Sequence, residues 1–212
     1  MIQNLRPLPS LKTFNLHLHL GCLLAAIMLV TGCASTPITK PGKPDSAISQ
    51  QHLNSIANIQ AFSLKGRIGV QTDGKGFSGS MQWQHDKEND DIALYSPLGG
   101  QVASIKKDAN AVSLTDSNGH SISAKDAESL TQMTLGWKLP LTGLADWSLG
   151  RPTSSPVDKV TWDESGRITR LVQEGWDIEY SDYLNFDGKQ LPNKIYLRSP
   201  KVNIKLIVEN RF

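Results

Sequence analysis

From Phe62 onward the chain alternates apolar and polar residues with a period of two. Phe62, Leu64, Ile68 and Val70 share one face of a strand, and Ser63, Lys65, Arg67 and Gln71 share the other. Gly74 and Gly76 predict a turn, after which Phe77, Met81 and Trp83 alternate with Ser78, Ser80, Gln82 and Gln84. A charged loop from Asp86 to Asp91 leads to a strand from Ile92 to Tyr95. Ser96-Pro97-Leu98-Gly99-Gly100 is the next turn, and Val102 to Lys106 and Ala111 to Thr115 are the next two strands. Asn118-Gly119, where both positions accept positive φ, predicts a tight hairpin into His120 to Ala124. The period then changes. Asp126 can cap a helix to about Leu135 with Ala127, Leu130 and Met133 on one face. Pro140 to Leu149 reads as a second helix, with Leu141, Leu144 and Trp147 apolar and Gly150 as its stop. Strands resume at Val160 to Trp162, Ile168 to Gln173, Trp176 to Tyr180, Ile195 to Leu197 and Val202 to Val208. About ten short strands at this spacing, with helices inserted midway, predict an antiparallel sheet or barrel.

The stretch before Phe62 has three different patterns. Leu16 to Val30 is an apolar run interrupted by His17 and His19, and Arg6 and Lys12 precede it. This is the layout of a signal peptide. The run is short of the roughly 20 apolar residues of a membrane-spanning helix. Leu29-Val30-Thr31-Gly32-Cys33-Ala34 closes it with small residues ahead of a cysteine, the arrangement a lipoprotein signal peptidase requires. The expectation is a leader over residues 1–32 and a diacylglycerol on Cys33. Cys22 is a poor alternative, because little apolar sequence precedes it. Residues 33–44, with Pro37, Pro41 and Pro44, read as a flexible tether. Residues 45–212 read as one domain, opening with a helix from Asp45 to Ile59. Its apolar stripe is Ile48, His52, Ile56 and Ile59, and His52 is expected as a partly buried core residue.

Charge and chemistry narrow the function. The chain has 22 Lys and Arg against 20 Asp and Glu. Arg6 and Lys12 lie in the leader, so the mature chain is balanced, which argues against a nucleic-acid surface. Gly74-Lys75-Gly76-Phe77-Ser78-Gly79 has the glycine spacing of a dinucleotide loop, but it sits between two strands and no helix follows. His52, His85 and His120 are far apart in sequence, and no nucleophile–base or metal spacing is present. His85 and His120 are expected to be solvated beside hairpin loops. Asp86, Glu88, Asp90 and Asp91 lack the ligand spacing of a calcium loop and are expected as a solvated acidic loop. Binding or structure is left, rather than catalysis.

The apolar sheet face carries Phe62, Leu64, Phe77, Met81, Trp83, Trp176, Ile178, Ile204 and Leu206. Either these form a filled core under the two central helices, or they line a cavity together with Trp137, Leu141, Leu144 and Trp147. Leu98 is a second open question. Pro97 and Gly99 are turn formers. Leu98 either tucks back into the core or projects as an apolar finger able to touch lipid.

Several motifs occur in a fixed order: the cysteine-ended leader, Gly66-Arg67, Trp83-Gln84, Ser96-Pro97-Leu98-Gly99, Leu139-Pro140-Leu141 with Trp147 and Gly150, Gly175-Trp176 with Tyr180, and Leu191-Pro192. Together they make the chain resemble the LolB family of outer-membrane lipoproteins. The resemblance implies a mainly β fold: an unclosed antiparallel barrel of about eleven strands, with helices covering the concave side and an apolar cavity between. It implies a monomeric, non-enzymatic protein without a dissociable cofactor, carrying N-acyl and S-diacylglycerol groups on Cys33. Such a protein is anchored in the outer membrane and faces the periplasm. Its implied partners are a LolA-type periplasmic carrier, the acyl chains of lipoprotein cargo, and outer-membrane phospholipid into which the cargo is inserted. Pro97, Leu98 and Gly99 match the loop used at the membrane step. Ala34 fits outer-membrane sorting, because the aspartate that retains lipoproteins at the inner membrane is absent. The competing reading is a structural or assembly lipoprotein with a filled core.

Overall fold

Eleven strands of alternating polarity can bury one face only by curling that face onto itself or onto helices. The computed structural model, which describes residues 47–135, 138, 139 and 141–211, shows how this is done. Helix α1 (Ala47–Ile56) precedes β1 (Phe62–Thr72), β2 (Gly76–His85), β3 (Asp90–Tyr95), β4 (Gln101–Lys107), β5 (Val112–Asp116) and β6 (Ser121–Ala124). Helices α2 (Ala127–Leu135) and α3 (Leu141–Ser148) follow. Then come β7 (Val157–Trp162), β8 (Ile168–Gln173), β9 (Trp176–Phe186), β10 (Lys189–Arg198) and β11 (Val202–Arg211). All pair antiparallel in one 11-stranded sheet of order β6-β5-β4-β3-β2-β1-β11-β10-β9-β8-β7. The first and last strands meet in the middle, and β6 and β7 are the free edges, so the sheet is not closed.

Register carries the concave face across the sheet. Leu64 pairs with Trp83, Trp83 with Ile92, Ile92 with Ile105, and Ile105 with Leu114. On the other half Leu171, Ile178, Leu197, Ile204, Val70 and Phe77 form a second row. A bulge at Lys65/Gly66 keeps β1 and β11 in phase. A Cβ at Gly66 would lie 2.1 Å from the Ile207 carbonyl oxygen, so only glycine permits this approach.

Several boundaries and faces differ from the sequence reading. β9 and β10 run on to Phe186 and back from Lys189 through Asp187-Gly188, both at positive φ. This is the primed two-residue turn that matches strand twist. Tyr183 and Leu184 put bulky side chains on both faces of the hairpin end, so no period betrays it. At the β5–β6 turn only Gly119 takes positive φ, Asn118 does not, and the Gly119 N–H donates to the Asp116 carbonyl. In α1 the buried stripe is Ser49, His52 and Ile56, and Ile48 is exposed one position off it. His52 is buried as expected, and desolvation lowers its pKa, with a smaller contribution from the Arg167 cation. In α2 the buried face is Ala127, Leu130 and Thr131, which leaves Met133 exposed.

The helices are fixed at their ends. Arg151, just after α3, pairs with Asp146 at 2.7 Å. Its guanidinium also donates to the carbonyls of Ile56, Ala57 and Ile59 at 2.7, 3.1 and 2.9 Å, capping the C-terminus of α1. The Asp126 carboxylate accepts the Ser129 N–H at 2.7 Å at the start of α2. Arg151→Ala leaves three carbonyls and Asp146 without their donor and is expected to destabilise the domain by about 2–3 kcal/mol. An unchanged urea midpoint would contradict this. The backbone bond from Ser129 holds the Asp126 pKa below its ordinary value. A depressed carboxylate contributes stability that is complete above the unfolded value of about 3.9 and is lost as pH falls through the lower folded value. The Ser129 amide resonance should therefore hold its position from neutrality to about pH 4 and shift only below it. In Asp126→Ala it should already be shifted at neutral pH.

Candidate functional site

Between the concave face and the helices lies a hollow of about 380 Å³. Ile68 and Val70 of β1, Phe77 and Met81 of β2, Ile92 and Leu94 of β3, and Val102, Ala103 and Ile105 of β4 form much of its wall. Leu114 of β5 and Ile204 of β11 continue it, and Thr131, Thr134, Leu139 and Leu144 roof it from the helices. Thr131 Oγ1 donates to the Ala127 carbonyl at 2.7 Å and accepts the Leu139 N–H at 2.8 Å. Thr134 Oγ1 donates to the Leu130 carbonyl at 2.8 Å. Both hydroxyls are thus committed to backbone, and Lys75 is the charged residue among the described lining residues. A wall of this kind offers hydrocarbon contact and almost no polar recognition.

Of the residues expected at a cavity, Phe77, Met81, Leu144 and Ile204 do line it. Phe62, Leu64, Trp83, Leu141, Trp147, Trp176, Ile178 and Leu206 do not; they are buried in the filled core beside it. Trp137 and Cys33 lie outside the described residues. Size explains the correction. The large rings fill space and are pinned by hydrogen bonds: Trp83 Nε1 donates to Asp90 Oδ1 at 2.8 Å, and Trp147 Nε1 donates to Gln173 Oε1 at 3.0 Å. The hollow is left where strands β3 to β5 supply smaller side chains, Val102 and Ala103 above all. Sequence reasoning missed these residues by ranking lining candidates on hydrophobic bulk.

The same geometry corrects two polar expectations. Asp90 is buried, not part of a solvated loop. It also meets His85 Nδ1 at 2.7 Å, and Lys107 Nζ lies 3.6 Å from it, so His85 is largely buried too. Asp86 does shape the loop, accepting the N–H groups of Glu88 and Asn89. Those two bonds hold its pKa below the ordinary carboxylate value. His120 is exposed as expected, near Asp116. A larger depression of about 860 Å³ adjoins this polar end, but Ser63, Gln84, Asp86, Asp91 and Lys106 line it, which does not suit an apolar ligand.

Leu98 projects. The Ser96 N–H donates to the Gly100 carbonyl at 2.8 Å, and the Gly99 N–H donates to the Ser96 carbonyl at 2.9 Å, with Gly99 at φ +87°. Pro97 fixes the preceding φ. This closes a tight turn with Leu98 at its tip, 98% exposed. Tyr95 pairs with Ser80, so the turn emerges at the end of the sheet where Thr72, Lys75 and Gly76 border the hollow. The apolar finger and that border share one end of the molecule.

A family model for outer membrane lipoprotein LolB matches residues 60–210. A protein from Pseudomonas syringae named outer-membrane lipoprotein LolB is 30% identical over 190 residues, covering 89% of this chain and 93% of that one. Proteins of the same name from Nitrosomonas europaea and Nitrosococcus oceani are 34% and 30% identical, over 88% and 91% of this chain and 89% and 96% of theirs. A solved LolA-superfamily protein from Nitrosomonas europaea superposes with a TM-score of 0.48 at 14% identity, over 78% of this chain and 93% of that one. The match over the whole β domain places this chain in the LolB family of outer-membrane lipoproteins.

Proposed function

We propose that this protein receives lipoproteins from a LolA-type periplasmic carrier, shelters their acyl chains in the hollow under α2 and α3, and delivers them into the inner leaflet of the outer membrane. The observation that carries this reading is one apolar hollow and one fully exposed leucine at the same end of the sheet. Each methylene withdrawn from water contributes about 0.8 kcal/mol, so an acyl chain needs such a shelter to cross an aqueous space. Family membership supports outer-membrane placement. Acylation at Cys33 and a tether over residues 33–44 would hold the domain at that membrane, facing the periplasm. The hollow counts against a filled-core scaffold, and nothing in the reading calls for catalysis or a cofactor.

In this reading Leu98 is the second contact with lipid. Burying a leucine side chain contributes about 1.5–3 kcal/mol. Leu98→Glu is expected to fold and take up cargo as the wild type does, but to pass it to liposomes at least about tenfold more slowly. Ala103→Trp, which fills the hollow, is expected to lose uptake itself. Liposome transfer by Leu98→Glu at the wild-type rate, or full uptake by Ala103→Trp in a folded protein, would sink the respective assignment.

A further inference from the structure

The two edges of the open sheet are built differently. β7 is entered through Pro156, carries Asp158 and Lys159, and shifts register twice against β8. Proline, charge and bulges at an edge each block the addition of another strand. β6 has none of these. Its Ser-Ile-Ser-Ala run is uncharged and pairs with β5 in unbroken register, and no described strand lies beyond it. Ser121, Ile122 and Ser123 are exposed.

β6 also extends the wall of the hollow. The concave row that runs from Leu64 through Ile105 and Leu114 ends on Ile122, which pairs with Leu114. Exposure along this row rises from 1% at Leu64 to 7% at Ile105 and 47% at Ile122. Leu114 lines the hollow, and Ile122 lies one strand further out, a spacing of about 4.8 Å. An apolar wall therefore runs out into solvent at an edge that carries no proline, charge or bulge and is blunted by its shortness alone.

We infer that β6 accepts, by strand addition, the extended polypeptide that follows the acylated cysteine of a bound lipoprotein. The inference rests on the acyl-chain reading of the hollow and adds where the protein part of the cargo goes. Edge length argues for this occupant. A four-residue strand offers a few backbone hydrogen bonds and far less than the roughly 1,000 Å² of a stable interface. A second copy, or a partner arriving from solution, is not held by so little. A segment already tethered through acyl chains one strand away has an effective concentration of order millimolar and needs no more. Strand addition draws its affinity from main-chain groups, which suits cargo of differing sequence.

The test uses the full chain and two probes: tripalmitoylated cysteine alone, and the same group followed by a short Ser/Thr-rich peptide bearing a thiol. Ser123→Lys, which puts a charge on the edge with its side chain on the face away from the hollow, should weaken the acylated peptide about tenfold and leave tripalmitoylated cysteine unchanged. With diamide as the thiol oxidant, Ser123→Cys should form a disulfide with the acylated peptide and not with its unacylated form, and Asp158→Cys on β7 should form neither. Equal weakening of both probes would overturn the inference. So would a Ser123→Cys disulfide between two copies of the chain, or normal binding of the acylated peptide without a disulfide. Failure of the wild type to bind either probe would instead overturn the acyl-chain reading, and the inference with it.

Discussion

The constraint on which this structure depends is that one sheet of eleven strands must bury a whole face without closing. Its strands follow one another as a meander, and the pairing of β1 with β11 brings the first and last strands together in the middle. That leaves β6 and β7 apart. The face that closure would have buried has to be covered by something else, and helices α2 and α3, inserted at the midpoint, are what cover it. A roof of two short helices over a broad curved face does not reach every row, so the hollow follows from the topology once the side chains beneath it are small.

The hollow persists because its surroundings are stiff. Trp83 is held through Asp90, which also meets His85 and Lys107. Trp147 is held through Gln173, whose own amide donates to the Ser155 carbonyl. Both are buried polar pairs satisfied on each side, the condition under which such groups fix a unique packing rather than loosen it. They keep the largest side chains at the margins of the hollow and out of it. Collapse would require a ring to leave a hydrogen-bonded site, at the cost of a buried orphan donor.

Much of this was legible in the sequence. The period of two gave most of the strands, and Trp147 and Gly150 gave α3 its buried face and its stop. The order of short motifs carries the family resemblance by itself. What the sequence hid is equally specific. Asp187-Gly188 is a strong hairpin signal, but Tyr183 and Leu184 before it put bulk on both faces and the alternation around it is lost. Asp90 sits among acids and looks solvated, because only the fold brings Trp83, His85 and Lys107 onto it. Ile48 and Met133 lie one position off their helices' buried stripes, an error that helical spacing alone allows. The lining of the hollow was half hidden for a different reason. Patterning reports which face a residue is on, and it does not report how much of the space before that face is filled.

The proposed cycle needs no energy source beyond differences in burial. A hollow that leaves part of an acyl chain near an open edge binds it less completely than a bilayer, where every methylene is covered, so delivery runs downhill. Leu98 does not set that difference. It is too small a group, and the proposed cycle assigns it to lipid rather than cargo. Its position at the end of the sheet that borders the hollow suits it to lower the barrier, by holding the opening against the membrane while the chains cross. The proposed acyl tether on Cys33 would act on the encounter alone, raising the effective concentration of the domain at one surface. In the proposed cycle affinity, transfer rate and destination would rest on three separate parts of the chain, the small side chains of β3 to β5, the β3–β4 turn, and the acylated Cys33, and each could change without remaking the others.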